Sequence, residues 1–308
     1  MSSIKFKYRD TFSLFKQTYN EWLDDKAFKM AAALSFYSLI SLVPMLIIII
    51  AITGTILGEE AAKGEIFIEI QKFVGPNSAK LIQELIVNAS IPDSSILFSA
   101  ISFGVLIWAS VGVFVELRES LNWIWGVETK PGRSLKSFFK NRLFSFTVIL
   151  VIGFLLILSL MSSAVLSAID DYIGRLLSIK IPFIHLLDFG ISFTIMIILF
   201  SFIFKYLPGV KVELKYVWKG AVFTSILFNI GKFAIGFYLG KTYYASIYGA
   251  AGSLVILLFW IYYSSLIFLF GAELIQVYRK RYSDTPLTPE RDVLIIKKVT
   301  EMISGDER

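Results

Sequence analysis

Four stretches of the chain carry no charged residue: Ala31 to Leu57, Ile96 to Val115, Leu143 to Ala168 and Tyr248 to Ala272. At 1.5 Å of rise per residue, each is long enough as a helix to cross about 30 Å of hydrocarbon. Two further apolar stretches, Ile184 to Phe204 and Val217 to Leu239, have the length but include His185, Asp188, Lys219 and Lys232. The pattern predicts an all-α integral membrane protein with six transmembrane helices, at about 31–57, 96–115, 143–168, 184–204, 217–239 and 248–277.

The polar segments also carry periodicity. Phe12, Phe15, Tyr19, Trp22 and Leu23 recur at helical spacing with Lys16, Glu21 and Asp24 between them. That pattern predicts an interfacial helix within residues 1–30. In the first outer loop, Ile66, Phe67, Ile70 and Phe73, then Leu81, Ile82, Leu85 and Ile86, predict two short amphipathic helices, the second opened by Pro76. Pro44, lacking an N–H, is expected to kink the first span and free the Ile40 carbonyl. Trp123 and Trp125 in LNWIWGV are expected to anchor at a membrane interface. Residues 278–308 read as a tail whose segment 293–303 forms at best a short helix.

Composition agrees with this reading. The chain is 56% hydrophobic and only 18% charged, below the quarter or so expected of a soluble domain. Lys and Arg collect in cytoplasmic loops. Only Lys63, Lys72, Lys80, Arg175, Lys180 and Lys241 fall in the three expected outer loops if both termini are cytoplasmic, against 23 of the 30 basic residues inside. The same distribution accounts for the net charge of +6 without a nucleic-acid partner. Cysteine is absent, which removes disulfide and thiolate chemistry. The first apolar run begins late and is too long for the h-region of a cleavable signal peptide, so none is expected.

The candidate chemistry centres on Lys232. A charge at membrane depth costs roughly 2.5–3.5 kcal/mol on insertion scales and is retained where it faces protein or a wet cavity. Ser225, Asn229, Lys232, Gly236 and Gly240 follow one another by three or four residues, so they share one face. Gly236 and Gly240 have GxxxG spacing, which admits a close neighbour, expected to be the small-residue segment of the sixth span with Gly249 and Gly252. By depth, Asp188 lies within reach of Lys232, with His185 three residues before it. The alternative is that Lys232 snorkels or meets backbone carbonyls. Glu273 is expected near the cytoplasmic interface, too far along its helix to pair with Lys232. Ser35 and Ser38, one turn apart below Pro44, are either packing contacts or part of a polar path.

DDKAFKMAAALSFYSLISLVP from Asp24, LPGVKVELKYVWKGAVF from Leu207, GKFAIGFYLG from Gly231 and YGAAGSLVILLFWIYYSSLIFLFGAEL from Tyr248 resemble the YihY/BrkB family of bacterial inner-membrane proteins. The resemblance covers nearly all of the chain, and the last motif is the most specific. It implies six spans, the bacterial cytoplasmic (inner) membrane and an association with virulence or serum resistance in some members. It also implies a former label, ribonuclease BN, now regarded as misassigned, and a suggestion of small-molecule transport. The motif's lysine corresponds to Lys232 and its helix-six acid to Glu273. No catalytic residue carries over.

The residues themselves speak against a hydrolase. A metal-dependent nuclease gathers several His, Asp or Glu ligands on one ion, whereas the chain has one histidine. The Asp24 and Asp25 doublet reads as a solvated cap, and P-loop, HExxH and GxSxG patterns are absent. No catalytic residue, metal or cofactor is expected. The expected function is movement of an amphipathic, anionic small molecule or lipid through the bilayer, the alternative a membrane scaffold or envelope assembly factor. The expected partners are the lipid bilayer and that anion, and the sequence is compatible with a homo-oligomer.

Overall fold

The computed structural model describes residues 2–89, 112–129, 182–241, 252–283 and 293–295, with single positions elsewhere. Seven helices are described: α1 (Ser2–Asp24), α2 (Ala27–Leu57), α3 (Glu59–Ala89), α4 (Gly112–Ile124), α5 (Pro182–Tyr206), α6 (Leu214–Lys241) and α7 (Gly252–Tyr282). Three of these contain segments long and apolar enough to cross a membrane: Ala27–Thr55, Leu186–Tyr206 and Gly252–Tyr282. α6 also has the length, and the side chains of 233–240 within it lie outside the described residues. Most of the expected second and third spans, and Gly249, lie outside the described residues.

α7 organises the bundle. It packs against α1, α2, α3, α4 and α6, while α5 packs against α6. From Ile267 to Val277 nearly every residue of α7 is buried, including polar ones, which is the signature of a helix surrounded by protein rather than one with a single covered face. Trp22, Leu34, Phe114, Leu121, Phe204, Val217 and Ile275 belong to one core at the α1 end of the bundle. A second core at the α3 end joins Leu46, Ile49 and Ile50 of α2 with Ile66, Ala79 and Ile82 of α3 and Leu257 and Trp260 of α7.

Several local expectations change. α1 and α2 meet at a tight corner where Lys26 adopts φ 56°, ψ 42°, a left-handed conformation uncommon for a residue with a Cβ. α2 begins at Ala27 and runs on as helix through Pro44. In α3 the helical backbone breaks at Gly75, with φ 79° and ψ 168°, a region glycine enters without steric cost. Pro76 then opens the second half, so the two expected amphipathic helices are the two arms of a kinked α3. Trp123 is exposed, but Trp125 is 3% exposed and belongs to the core instead of anchoring at an interface. The expected short helix after 293 is also corrected. Val293–Ile295 is a strand paired antiparallel with Val127–Thr129. Extended backbone suits the β-branched Val293 and Ile295, and Val210 bridges to Pro289 beside it.

Candidate functional site

The polar stripe of α6 lies against α5. The Asn229 amide donates to the Ser225 carbonyl at 2.9 Å and reaches Met196 Sδ of α5 at 3.5 Å. Ser225 is fully buried, and Asn229 and Lys232 are half-buried. Asp188 is half-buried on α5. His185 is on the first turn of α5, and its side chain lies outside the described residues. α5 and α6 therefore bring Asn229 to Met196.

The close approach of α6 to α7 uses other glycines than the expected pair. A Cβ on Gly220 would strike the Ile275 side chain, one on Gly271 would strike Thr224, and one on Gly231 would strike Tyr263. Gly220, Thr224 and Gly231 thus face α7 at the steps of four and seven that keep residues on one helical face. Thr224 turns its hydroxyl back to the Gly220 carbonyl at 2.8 Å. The small residues of KGAVFTSILFNIG could have revealed this face, but GxxxG spacing drew the sequence reading towards Gly236 and Gly240. The surroundings of those two lie outside the described residues, and Gly252 is buried at the start of α7.

A second polar cluster occupies the α1 end. Glu273 is 0% exposed, and among the described residues neither carboxylate oxygen meets a donor. Its neighbour is Asp25, whose carboxyl is within hydrogen-bonding reach of the Glu273 carboxyl. Asp25 is half-buried rather than a solvated cap, and burial is the largest influence pushing its carboxyl above the ordinary value. The neighbouring Glu273 carboxyl opposes that change, Glu21 and Asp24 reinforce it, and Lys280 opposes it. Lys280 bonds to Glu21 at 3.1 Å, fastening α1 to α7. Around this point the ends of the helices are held by polar contacts. Gln276 donates to the Ile124 carbonyl, the Gly209 N–H donates to Asn122 at 2.7 Å, and Lys219 donates to the Tyr278 hydroxyl at 2.5 Å. Asp25 and Glu273 are far apart in sequence, and nothing in the pattern of either segment pairs them.

Ser35 is buried and bonds its own helix at the Ala32 carbonyl, 2.8 Å away. Ser38 is half-buried. The hydroxyl that links helices on this face is Ser41, which accepts from the Val113 N–H at 3.3 Å.

Two hollows accompany these sites. One of about 70 Å³ lies between α2 and the two arms of α3, lined by Ile50, Lys63, Ile66, Ile82, Gln83 and Ile86 among others. Ligand pockets usually measure about 300–1,000 Å³, so this one admits only a small group. The other, about 450 Å³ and open to the outside, runs between α5 and α6 along Ile197, Ile198, Ser201, Leu214, Lys215 and Trp218.

Similarity to known proteins agrees with the membrane reading. The chain is 28% identical over 274 residues to a UPF0761 membrane protein of Mannheimia succiniciproducens, covering 86% of this chain and 88% of that protein. It is 25% identical over 279 residues to the Bacillus subtilis protein YfkH, named ribonuclease-like, covering 87% and 96% respectively. A UPF0761 membrane protein of Pseudoalteromonas translucida is 28% identical over 277 residues, covering 88% and 87%. No solved structure matches. Residues 18–293 match the family described as virulence factor BrkB; with that match and its long apolar helices, the chain is a membrane protein of the BrkB family.

Proposed function

We propose that this protein carries an amphipathic, negatively charged small molecule or lipid across the bacterial cytoplasmic membrane, as a six-helix bundle with both termini in the cytoplasm. The observation that carries this reading is Lys232. A cation half-buried on α6, one turn from the Asn229 amide, is suited to an anionic headgroup or organic acid. The open apolar groove between α5 and α6 provides a surface for the attached hydrocarbon. α1 is proposed to lie in the interface. Leu14, Thr18 and Trp22 turn inward, while Phe12, Tyr19 and Leu23 are exposed on other faces where a bilayer would cover them.

Asp188 is the proposed counter-charge of Lys232. α5 and α6 are consecutive and joined by a short connection, so they run antiparallel, with Met196 level with Asn229. Asp188 lies eight residues beyond Met196 and Lys232 three beyond Asn229, towards the same end. That leaves about 7.5 Å along the axes, which a lysine stem and an aspartate together cover.

Comparing metabolites and lipids of cells and medium with and without the gene, then with Lys232→Ala, tests the reading. Loss of one exported anion on deletion, unrestored by Lys232→Ala, is the expected result. If no compound changes and Lys232→Ala restores every deletion phenotype, the scaffold or assembly role replaces transport. The protein is also proposed not to be a ribonuclease. Metal-dependent RNA cleavage that co-purifies with it and vanishes in Asp24, Asp25 or His185 variants would reverse that. Orientation is tested by labelling whole cells with an impermeant thiol reagent, since the chain has no native cysteine. Lys80→Cys should react and Glu128→Cys should not. Both positions are exposed, whereas Ser78 is buried and would be protected on either side.

A further inference from the structure

We infer that Asp25 and Glu273 form a proton-binding site, in which one proton shared between the two carboxyl groups latches α1 and the α1–α2 corner onto α7. Glu273 has no exposed surface, and among the described residues no N–H or O–H points at either of its oxygens. A buried carboxylate without a donor keeps none of the hydrogen bonds that water gave it. The neighbouring group in hydrogen-bonding reach is another acid. Two ionised carboxylates offer only acceptors, so a bond between them exists only when one carries a proton. Like charges at this separation also cannot both ionise at ordinary cost.

The other charged groups around the pair do not replace that proton. Glu21 and Asp24 on α1 add negative charge, and Lys280 on α7 is bonded to Glu21. Lys219 of α6 is occupied by Tyr278. Lys26 and Lys29, at the start of α2, are exposed. On α4, Glu116 and Arg118 are half-buried and Glu119 exposed, Arg279 of α7 is buried, neither arginine acts on Asp25 or Glu273, and Gln276 of α7 spends its amide N–H on the Ile124 carbonyl.

The corner beside the pair can respond to its charge. Lys26 sits next to Asp25 in the left-handed conformation, and such a backbone persists only while its surroundings hold it. Trp22, one turn before Lys26, is buried against Phe28 at 4.8 Å and Phe270 at 5.9 Å between ring centres. Removing the shared proton leaves two facing negative charges, and the least costly relief is outward movement of α1 from α7.

The test uses the full-length protein in detergent and requires no substrate. Infrared spectra taken from about pH 5 to pH 10 follow the carbonyl stretch of a protonated carboxylic acid. Spin labels at Gln17→Cys and Lys211→Cys follow the position of α1 in the same range. In the wild type we expect an acid band still present at neutral pH, and lengthening of the label distance as that band is lost. Glu273→Gln keeps a donor facing Asp25. It should therefore lose the band yet hold α1 docked at every pH. A wild type without the band at neutral pH, a band unchanged in Glu273→Gln, or a label distance independent of pH in the wild type would each overturn the site. So would a label distance that follows sodium concentration at fixed pH instead of pH. Use of this proton to drive transport rests on the function proposed above. Proton flux in vesicles tests that role alone, and its failure would leave the site standing.

Discussion

Lys232 and Glu273 are the two ionisable groups that look most out of place, and they are held in opposite ways. Lys232 stands in a helix of spanning length, half-buried, beside a stripe of uncharged polar groups facing α5. Glu273 is closer to a helix end, yet it is completely buried because α1 folds across it and other helices surround α7. Depth along a helix and burial inside protein are therefore separate quantities. A charge in lipid is costly because of where the membrane is, whereas a charge under α1 is costly because of how the chain packs.

Gly220 lies on the α6–α7 contact that joins the two regions, so its substitution should have the largest effect. Gly220→Leu has to displace Ile275 and approach the Gly271 backbone. Overfilling of this kind costs typically about 1–3 kcal/mol, and more where backbone blocks relief. Thermal unfolding in detergent, read by tryptophan fluorescence, should show a marked loss of stability, with Glu273 and Lys232 variants losing their separate effects in that background. A Gly220→Leu protein as stable as wild type would mean that the α6–α7 contact is not what couples the regions.

The second test concerns Lys232. Lys232→Ala or Asp188→Ala should each destabilise by about 1–3 kcal/mol, less than the 3–5 kcal/mol of a fully buried broken pair because both groups are only half-buried. Exchanging the two charges should recover part of the loss. Strictly additive effects in the double-mutant cycle would remove Asp188 as the counter-charge and leave Lys232 to its other neighbours.

The difference between the regions also explains what was legible in the sequence. The helices at 27–55, 186–206 and 252–282 were visible because long apolar runs with few charges have few alternatives. Pro76 marked the start of the second arm of α3, although the break itself falls at Gly75. Lys232 was conspicuous for the same reason, as a charge interrupting an apolar stretch. Glu273 was visible as an acid expected near the cytoplasmic interface, but its complete burial was not, because that depends on α1, which is distant in sequence. The pairing of Val293–Ile295 with Val127–Thr129 was hidden likewise. Three residues of backbone ladder leave little periodicity to read, and their partner is a non-local segment.

The third test uses pH and addresses the α1 end alone. The Asp25 carboxyl is raised above its ordinary value of 3.8, mainly by burial. The folded protein thus holds this proton more tightly than the unfolded chain does. The stabilisation from Asp25 is fully present below pH 3.8 and is lost as pH rises through the raised folded value. Each tenfold difference in proton affinity corresponds to about 1.4 kcal/mol. Asp25→Asn should flatten this part of the pH–stability curve, while Lys232→Ala should leave its slope unchanged. A curve with the same slope in Asp25→Asn and wild type would assign the titration elsewhere.

The smallest effect is expected at the Glu21–Lys280 bridge, and its smallness is what makes it informative. The two side chains are 34% and 40% exposed, and exposed pairs contribute about 0.2–1 kcal/mol, less as salt rises. Glu21→Gln removes a salt bridge but also takes a negative charge away from the carboxyl pair. Lys280→Gln removes the same bridge while withdrawing the cation that opposes the rise at Asp25. If the bridge were merely a fastening between α1 and α7, the two variants would be equally destabilised at every pH. Because the bridge flanks the buried acids, Glu21→Gln weakens the hold on the shared proton and should make undocking begin at lower pH, whereas Lys280→Gln strengthens it and should make undocking begin at higher pH. Stability curves in low and high salt check this, since screening should shrink the contrast between the variants. Identical curves would separate the bridge from the acids beneath it and leave Asp25 and Glu273 to account for the α1 end without help from the surface.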